Sequence, residues 1–140
     1  MHDGSMTLNV SGGCLCGQYR YQISGTPIAM FNCHCRDCQQ STGGPYSPVV
    51  YVAKNSFRVI QGEMKHYSTD SEPGGSNKRG FCAECGARVT GGETDEGIGI
   101  LASSLDDPTV FSPQVNIYVR EAQPWDRIPD DIPAAQGSTA

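Results

Sequence analysis

No stretch of this sequence approaches the roughly 20 apolar residues that a membrane-crossing helix needs. Its start, Met1-His2-Asp3-Gly4-Ser5-Met6, lacks the basic opening and apolar run of a secretion signal. Together these absences predict a cytoplasmic protein with no membrane partner. Positive charge is also scarce. Lys and Arg number 10 against 15 Asp and Glu, a formal net charge of -5. Nucleic-acid binders draw much of their affinity from basic surface, so no nucleic-acid partner is expected. A local basic patch of Lys78, Arg79 and Arg88 is the one candidate against that reading. Core-forming material is thin as well. Hydrophobic residues make up 37% of 140, with a single Trp, and no repeat or linker divides the chain. One zinc-stapled domain over residues 12–133 is expected, between a flexible N-terminus (1–11) and a flexible tail (134–140).

Turn formers and thiols are abundant instead: 17 Gly, 9 Pro and 7 Cys. Such a supply of turns points to many short strands, and the fold class read from it is mainly β. Gln18–Ile23 alternates, with Tyr19, Tyr21 and Ile23 on one face. Val49–Ala53, Phe57–Ile60, Met64–Ser68, Ile98–Ala102 and Val115–Val119 read as further strands. Turns are expected at 41–45 and 72–76, and one or two helical turns over Arg36–Ser41, stopped by Gly43 and Gly44. After Trp125, which is expected to pin the tail to the sheet, a Pro- and Asp-rich segment should run over the surface.

An odd number of cysteines in a reducing compartment suits metal binding better than disulfides. They fall in three groups: Cys14-Leu15-Cys16, Cys33-His34-Cys35-Arg36-Asp37-Cys38, and Cys82-Ala83-Glu84-Cys85-Gly86. The last is a C-x-x-C turn completed by a glycine that can take positive φ. In a flat strand Cys14 and Cys16 would stand nearly ~7 Å apart. One zinc needs sulfurs under ~4 Å apart, so the backbone must bend there. Gly12, Gly13 and Gly17 make the bend cheap. Joining Cys14, Cys16, Cys82 and Cys85 gives a closed four-thiolate site that ties the start of the chain to its middle. Cys33, Cys35 and Cys38 then have no fourth cysteine. Three protein ligands with a vacancy is the pattern of a catalytic zinc, unless His34, Asp37 or His66 closes the site and makes it structural. His34, between two ligands, should point away from the metal. A thiolate-rich zinc suits a further soft ligand, which favours chemistry at a substrate sulfur.

With Gly12-Gly13 and Gly17 around the first group, Phe81 and Gly86 around the last, Leu105-Asp106-Asp107-Pro108, and Pro124-Trp125 ahead of Ile128-Pro129, the sequence resembles the glutathione-dependent formaldehyde-activating enzyme family, which includes centromere protein V. The resemblance runs from about Gly12 to Pro133. It implies a β-tent (Mss4-like) fold of short antiparallel strands and two zinc ions per chain. Cys14, Cys16, Cys82 and Cys85 would hold a structural zinc, and Cys33, Cys35 and Cys38 a catalytic one. The activity implied is a carbon–sulfur lyase acting on a thiol–aldehyde adduct, with a small thiol such as glutathione as substrate and S-hydroxymethylglutathione as the named product. The alternative is a non-catalytic zinc-stabilised β-tent binding module. A thiol redox enzyme of the methionine sulfoxide reductase type would need a free cysteine, and this division leaves none. Arg36 reads first as a solvated charge. Tyr19, Tyr21, Tyr51 and Tyr67 read as core or cross-strand residues, and Glu63, Glu93, Asp95 and Glu96 form no evident acid–base pair.

Overall fold

The structure, a computed structural model, describes residues 7–71 and 75–138. It is built from two sheets. The smaller joins β1 (Leu8–Gly13), β2 (Arg20–Gly25) and β5 (Phe57–Gln61) in the antiparallel order β1-β2-β5. The larger joins β3 (Ala29–Cys33), β4 (Ser47–Ala53), β6 (Met64–Ser71), β7 (Gly75–Cys82), β8 (Arg88–Gly91), β9 (Gly97–Leu101) and β10 (Val115–Ile117). Its order is β10-β3-β4-β9-β8-β7-β6, antiparallel except for the parallel pair β10–β3. The one α-helix among the described residues is α1 (Arg36–Thr42), closed by Gly43 in the left-handed region at φ 77°. The mainly-β expectation holds, and every strand read from the sequence is present to within a few residues. The expected turn at 72–76 lies partly outside the described residues.

The sheets enclose one main core. Tyr21 and Ile23 come from the small sheet and Tyr19 from the residue just before β2, and Val50, Val52, Val89 and Ile100 come from the large sheet. Alternation put the first three on one face, and all three are buried. β9 is buried along its whole length, as a central strand should be. A smaller cluster gathers Cys33, Cys38, Ile117 and Ala135.

Tyr67, read as a core or cross-strand residue, is the latter: it stands on the edge strand β6 in register with Arg79 and is 66% exposed. Several expectations fail, each for a tertiary reason. Trp125 is 64% exposed and does not pin the tail. The tail is held by backbone instead: Asn116 N–H donates to Pro133 O, Ala135 N–H to Asn116 O and Val119 N–H to Ala135 O. Residues 134–137 therefore lie against β10, and β1 begins at Leu8, so ordered pairing extends past 12–133 at both ends. The four strands not read from the sequence, β1, β3, β7 and β8, are rich in Gly, Asn, Ser, Cys or Arg and poor in the β-branched alternation that marks a strand.

Candidate metal centres

The chain leaves β1 at Gly13 and turns at once. Gly17 N–H donates to Cys14 O, and Gly17 takes φ 83°, a backbone that a side chain would strain. This is the bend that a chelating C-x-C requires. It brings the sulfurs of Cys14 and Cys16 to 3.7 Å, while the Cys16 and Cys82 sulfurs lie 3.8 Å apart. Four sulfurs on a tetrahedral zinc with ~2.3 Å bonds would be separated by ~3.8 Å, so the spacing fits. All four, with Cys85, lie within 4.8 Å of one another.

The second half of the site is the turn after β7. Gly86 N–H donates to Cys82 O at 2.8 Å, with Gly86 at φ 77°. N–H donors converge on the sulfurs. Glu84 N and Cys85 N reach Cys82 Sγ at 3.3 and 3.4 Å, Gln18 Nε2 reaches it at 3.3 Å, and Tyr19 N reaches Cys14 Sγ at 3.4 Å. Burial raises the Cys82 thiol pKa, but hydrogen bonds from Cys85 N–H, the Gln18 amide and Glu84 N–H more than offset it and leave the value at about 6. The Cys85 thiol is also lowered, first by the Ala87 backbone. A nest of donors around four thiolates is the chemistry of a soft divalent cation such as zinc.

Cys33, Cys35 and Cys38 form a second group, again within 4.8 Å. Cys33 ends β3, opposite Ser47 of β4 and Ile117 of β10. Cys35 caps α1, its sulfur accepting from Cys38 N–H at 3.3 Å, so the helix start presents both sulfurs to one point. No histidine or carboxylate among the described residues joins this group within 4.8 Å. The Cys38 thiol is held down by hydrogen bonds with the Cys33 and Cys35 sulfurs, then by the Ser47 hydroxyl and the Arg79 charge, while the Cys33 thiol is pushed up by the Cys35 and Cys38 sulfurs and by burial.

His34 faces away, as expected, and what it meets was not legible in the sequence. Its Nδ1–H donates to Asp126 at 2.8 Å, and Nε2 meets the Asn116 side-chain amide at 3.0 Å. Asn32 Nδ2 donates to the same amide oxygen, and Gln39 Nε2 donates to both His34 O and Glu121 O. This buried polar network locks the loop that carries the three cysteines. Its partners lie more than 80 residues along the chain, beyond any local pattern.

Lys78, Arg79 and Arg88, the candidates for a local basic patch, do not form one, because the two arginines are turned inward. Alternation along β7 sends Lys78 out to Glu93 and Arg79 inward, where it is 5% exposed. Arg88, opening β8, is also turned in, and burial lowers its pKa to about 10, which leaves it charged at neutral pH. Both line a cavity of about 180 Å³ that Cys33 and Cys38 border, with Phe31, Val49, Tyr51 and Leu101 among its walls. A second cavity of about 200 Å³ adjoins it and shares Cys33 and Arg79, but its rim is acidic, with Asp37, Asp70 and Glu121. The four-thiolate centre lies at the edge of the main core, with Cys14 and Cys82 buried and Cys16 exposed, whereas the three-thiolate centre opens onto these spaces.

Residues 9–121 match the profile of the glutathione-dependent formaldehyde-activating enzyme family. The chain belongs to that family. A solved structure similar to this formaldehyde-activating enzyme relative is that of a Rhodobacter sphaeroides protein. The two agree with a TM-score of 0.57 over 89% of this chain and 98% of the other, at 17% sequence identity, a likeness of fold. Comparison with curated proteins returned no significant match. Within the family match fall all seven cysteines, Arg79, Arg88 and His34, while Asp126 and the docked tail lie beyond it. His66 and Arg36 are exposed, and His66 takes no part in either centre. No helix among the described residues is long and apolar enough to cross a membrane.

Proposed function

We propose that this protein is a zinc-dependent carbon–sulfur lyase-like enzyme that makes or breaks the bond between a small thiol and an aldehyde carbon, in the cytoplasm. The observation that carries this reading is the contrast between the two cysteine groups. One has four sulfurs, a complete tetrahedral set, and the other has three sulfurs beside a cavity with no further histidine or carboxylate in reach among the described residues. In this reading Cys14, Cys16, Cys82 and Cys85 hold a structural zinc, and Cys33, Cys35 and Cys38 hold the catalytic one. A zinc on three thiolates supplies a vacant position at which an incoming thiol is held as its thiolate. The family's glutathione and formaldehyde set the reaction type. The thiol sulfur joins the carbonyl carbon, the carbonyl π pair moves to oxygen, and the proton from sulfur ends there. No oxidant is consumed.

The protein's own groups would arrange this event. The Asn32–His34–Asn116–Asp126 network fixes the ligand loop from behind. The apolar walls keep bulk water from the reacting carbon, and the Arg79 charge favours thiolate at the cluster. The test uses protein loaded with metal and analysed for it, with about two zinc ions per chain expected. Formation of the hydroxymethyl thioether from ¹³C-formaldehyde and glutathione or a smaller thiol is followed by NMR, beside the absorbance of a cobalt-substituted second site. Acceleration lost in Cys38→Ser, together with a thiol-sensitive cobalt spectrum, is expected. A metal-loaded protein that accelerates nothing and whose cobalt spectrum ignores every thiol would be a β-tent binding module instead.

A further inference from the structure

We infer that the arginine-lined cavity is a carboxylate site, and that the thiol substrate is a small one carrying a carboxylate close to its sulfur. The substrate class rests on the reading of the three-thiolate centre given above, whereas the carboxylate site itself does not. Three observations lead there.

The first is the state of the two guanidiniums. Arg79 makes a single hydrogen bond, from Nη1 to Thr69 Oγ1 at 2.6 Å. Arg88 reaches Ser41 Oγ at 2.6 Å and Thr90 O at 3.2 Å. Neither Nε has a partner, although both are buried, and neither residue pairs with a carboxylate among the described residues. A guanidinium offers five N–H groups in a planar fork that matches the two oxygens of a carboxylate. Two charged forks left largely unpaired in a dry wall call for an anionic acceptor with paired oxygens. The buried Ser47 hydroxyl lines the same cavity beside Cys38.

The second observation is placement. The arginines border the same cavity as Cys33 and Cys38, so one small molecule can present sulfur to the cysteines and oxygen to the arginines. No carboxylate lines that cavity among the described residues, while the adjoining one is ringed by three, so an anion has one favourable side of Arg79 and one unfavourable side. The third is size. A cavity of about 180 Å³ is comparable with the ~150 Å³ that holds a benzene-sized guest. It admits a two- or three-carbon mercaptocarboxylate and is too small to enclose glutathione as a whole.

The experiment compares 2-mercaptoacetate with 2-mercaptoethanol, thiols alike in size and different in charge, and with propionate, which has no thiol. Binding to the zinc-loaded protein is measured by calorimetry and to the cobalt-loaded protein by absorbance. Wild type should bind mercaptoacetate at least about tenfold more tightly than mercaptoethanol, as expected for a hydrogen-bonded charged group. Arg79→Met should erase that preference, so that mercaptoacetate and mercaptoethanol bind alike, with circular dichroism and metal analysis showing that the variant is folded and loaded. Arg79→Lys and Arg88→Lys, gentler on folding, should retain only part of it, because the charge survives and the fork does not. Equal affinity for the two thiols overturns the proposal. So does a preference that survives Arg79→Met, or glutathione binding more tightly than mercaptoacetate. If propionate binds in an Arg79-dependent way and no thiol alters the cobalt spectrum, the carboxylate site stands and the lyase reading falls. If both thiols bind alike and propionate does not bind, the lyase reading stands and the carboxylate site falls.

Discussion

Cys38 sits in the first turn of α1 and Cys85 on the turn after β7, and their loss should have opposite consequences. Cys85 belongs to a clip that joins residues from the start of the chain to others nearly 70 positions later. Structural zinc is worth on the order of 10 kcal/mol in apparent terms, and whole domains are stable by only ~5–15 kcal/mol. Cys85→Ser is therefore expected to unfold or aggregate the protein. Cys38 closes only a short local loop, so Cys38→Ser should keep the fold while losing the second metal. Thermal melts with zinc analysis check both, and a Cys38→Ser protein that melts as badly as Cys85→Ser would make the second centre structural. His34 is the other decisive residue. Its ring is buried against Asp126, whose side chain is itself only 7% exposed. His34→Ala strands that carboxylate without its imidazole donor and takes from the Asn116 amide one of its two partners, and should cost about 3 kcal/mol in urea denaturation. A loss below about 1 kcal/mol would mean that the network does not hold the ligand loop.

Among the elements, α1 and the segment after β10 do the positioning. The helix is only seven residues long and is fastened at both ends, by the Cys35 cap and by Gly43. Gln39 and Thr42 add side-chain bonds to it, so the cysteine pair is held rigidly despite its brevity. The segment at 133–137 supplies backbone partners to Asn116, Tyr118 and Val119 and buries Ala135 against Ile117, Cys33 and Cys38. Ending the chain after Ile132 removes several backbone bonds worth about 1 kcal/mol each, and should lower stability by about 2–4 kcal/mol. Hydrogen exchange is the sharper reading. The amides of Asn116 and Val119 should exchange faster while those of β4 and β9 stay protected. Unchanged exchange at Asn116 would show that the docked segment contributes nothing to the second centre's support.

For the molecule as a whole, the main core carries a titration of its own. Burial pushes the Tyr19 phenol up to about 12, and raises Tyr21 further still, opposed in part by its bond to Ser104. A folded-state pKa above the usual value of 10 means that the neutral form is favoured by folding. That stabilisation is complete below pH 10 and is lost as pH rises through about 12. Phenolate absorbance from these two residues should appear together with loss of structure between those limits. Ionisation near pH 10 with the fold intact would show the core to be open to water. What the sequence determined alone was what local spacing can encode. The cysteine intervals and neighbouring glycines specified two metal-sized groups of four and three, the bend at Cys14–Cys16, the outward turn of His34, and the mainly-β class, because each is settled within a few residues. Tertiary structure decided the rest. Arg79 and Arg88 read as surface cations, since charge in a sequence carries no sign of which face of a strand it will occupy. Only the pairing of β7 with β8 and the packing of β3, β4 and α1 turned both guanidiniums inward toward the three sulfurs. The tail likewise read as surface segment, because its stabilising partner is the bare backbone of β10, and backbone hydrogen bonds leave no mark on side-chain pattern.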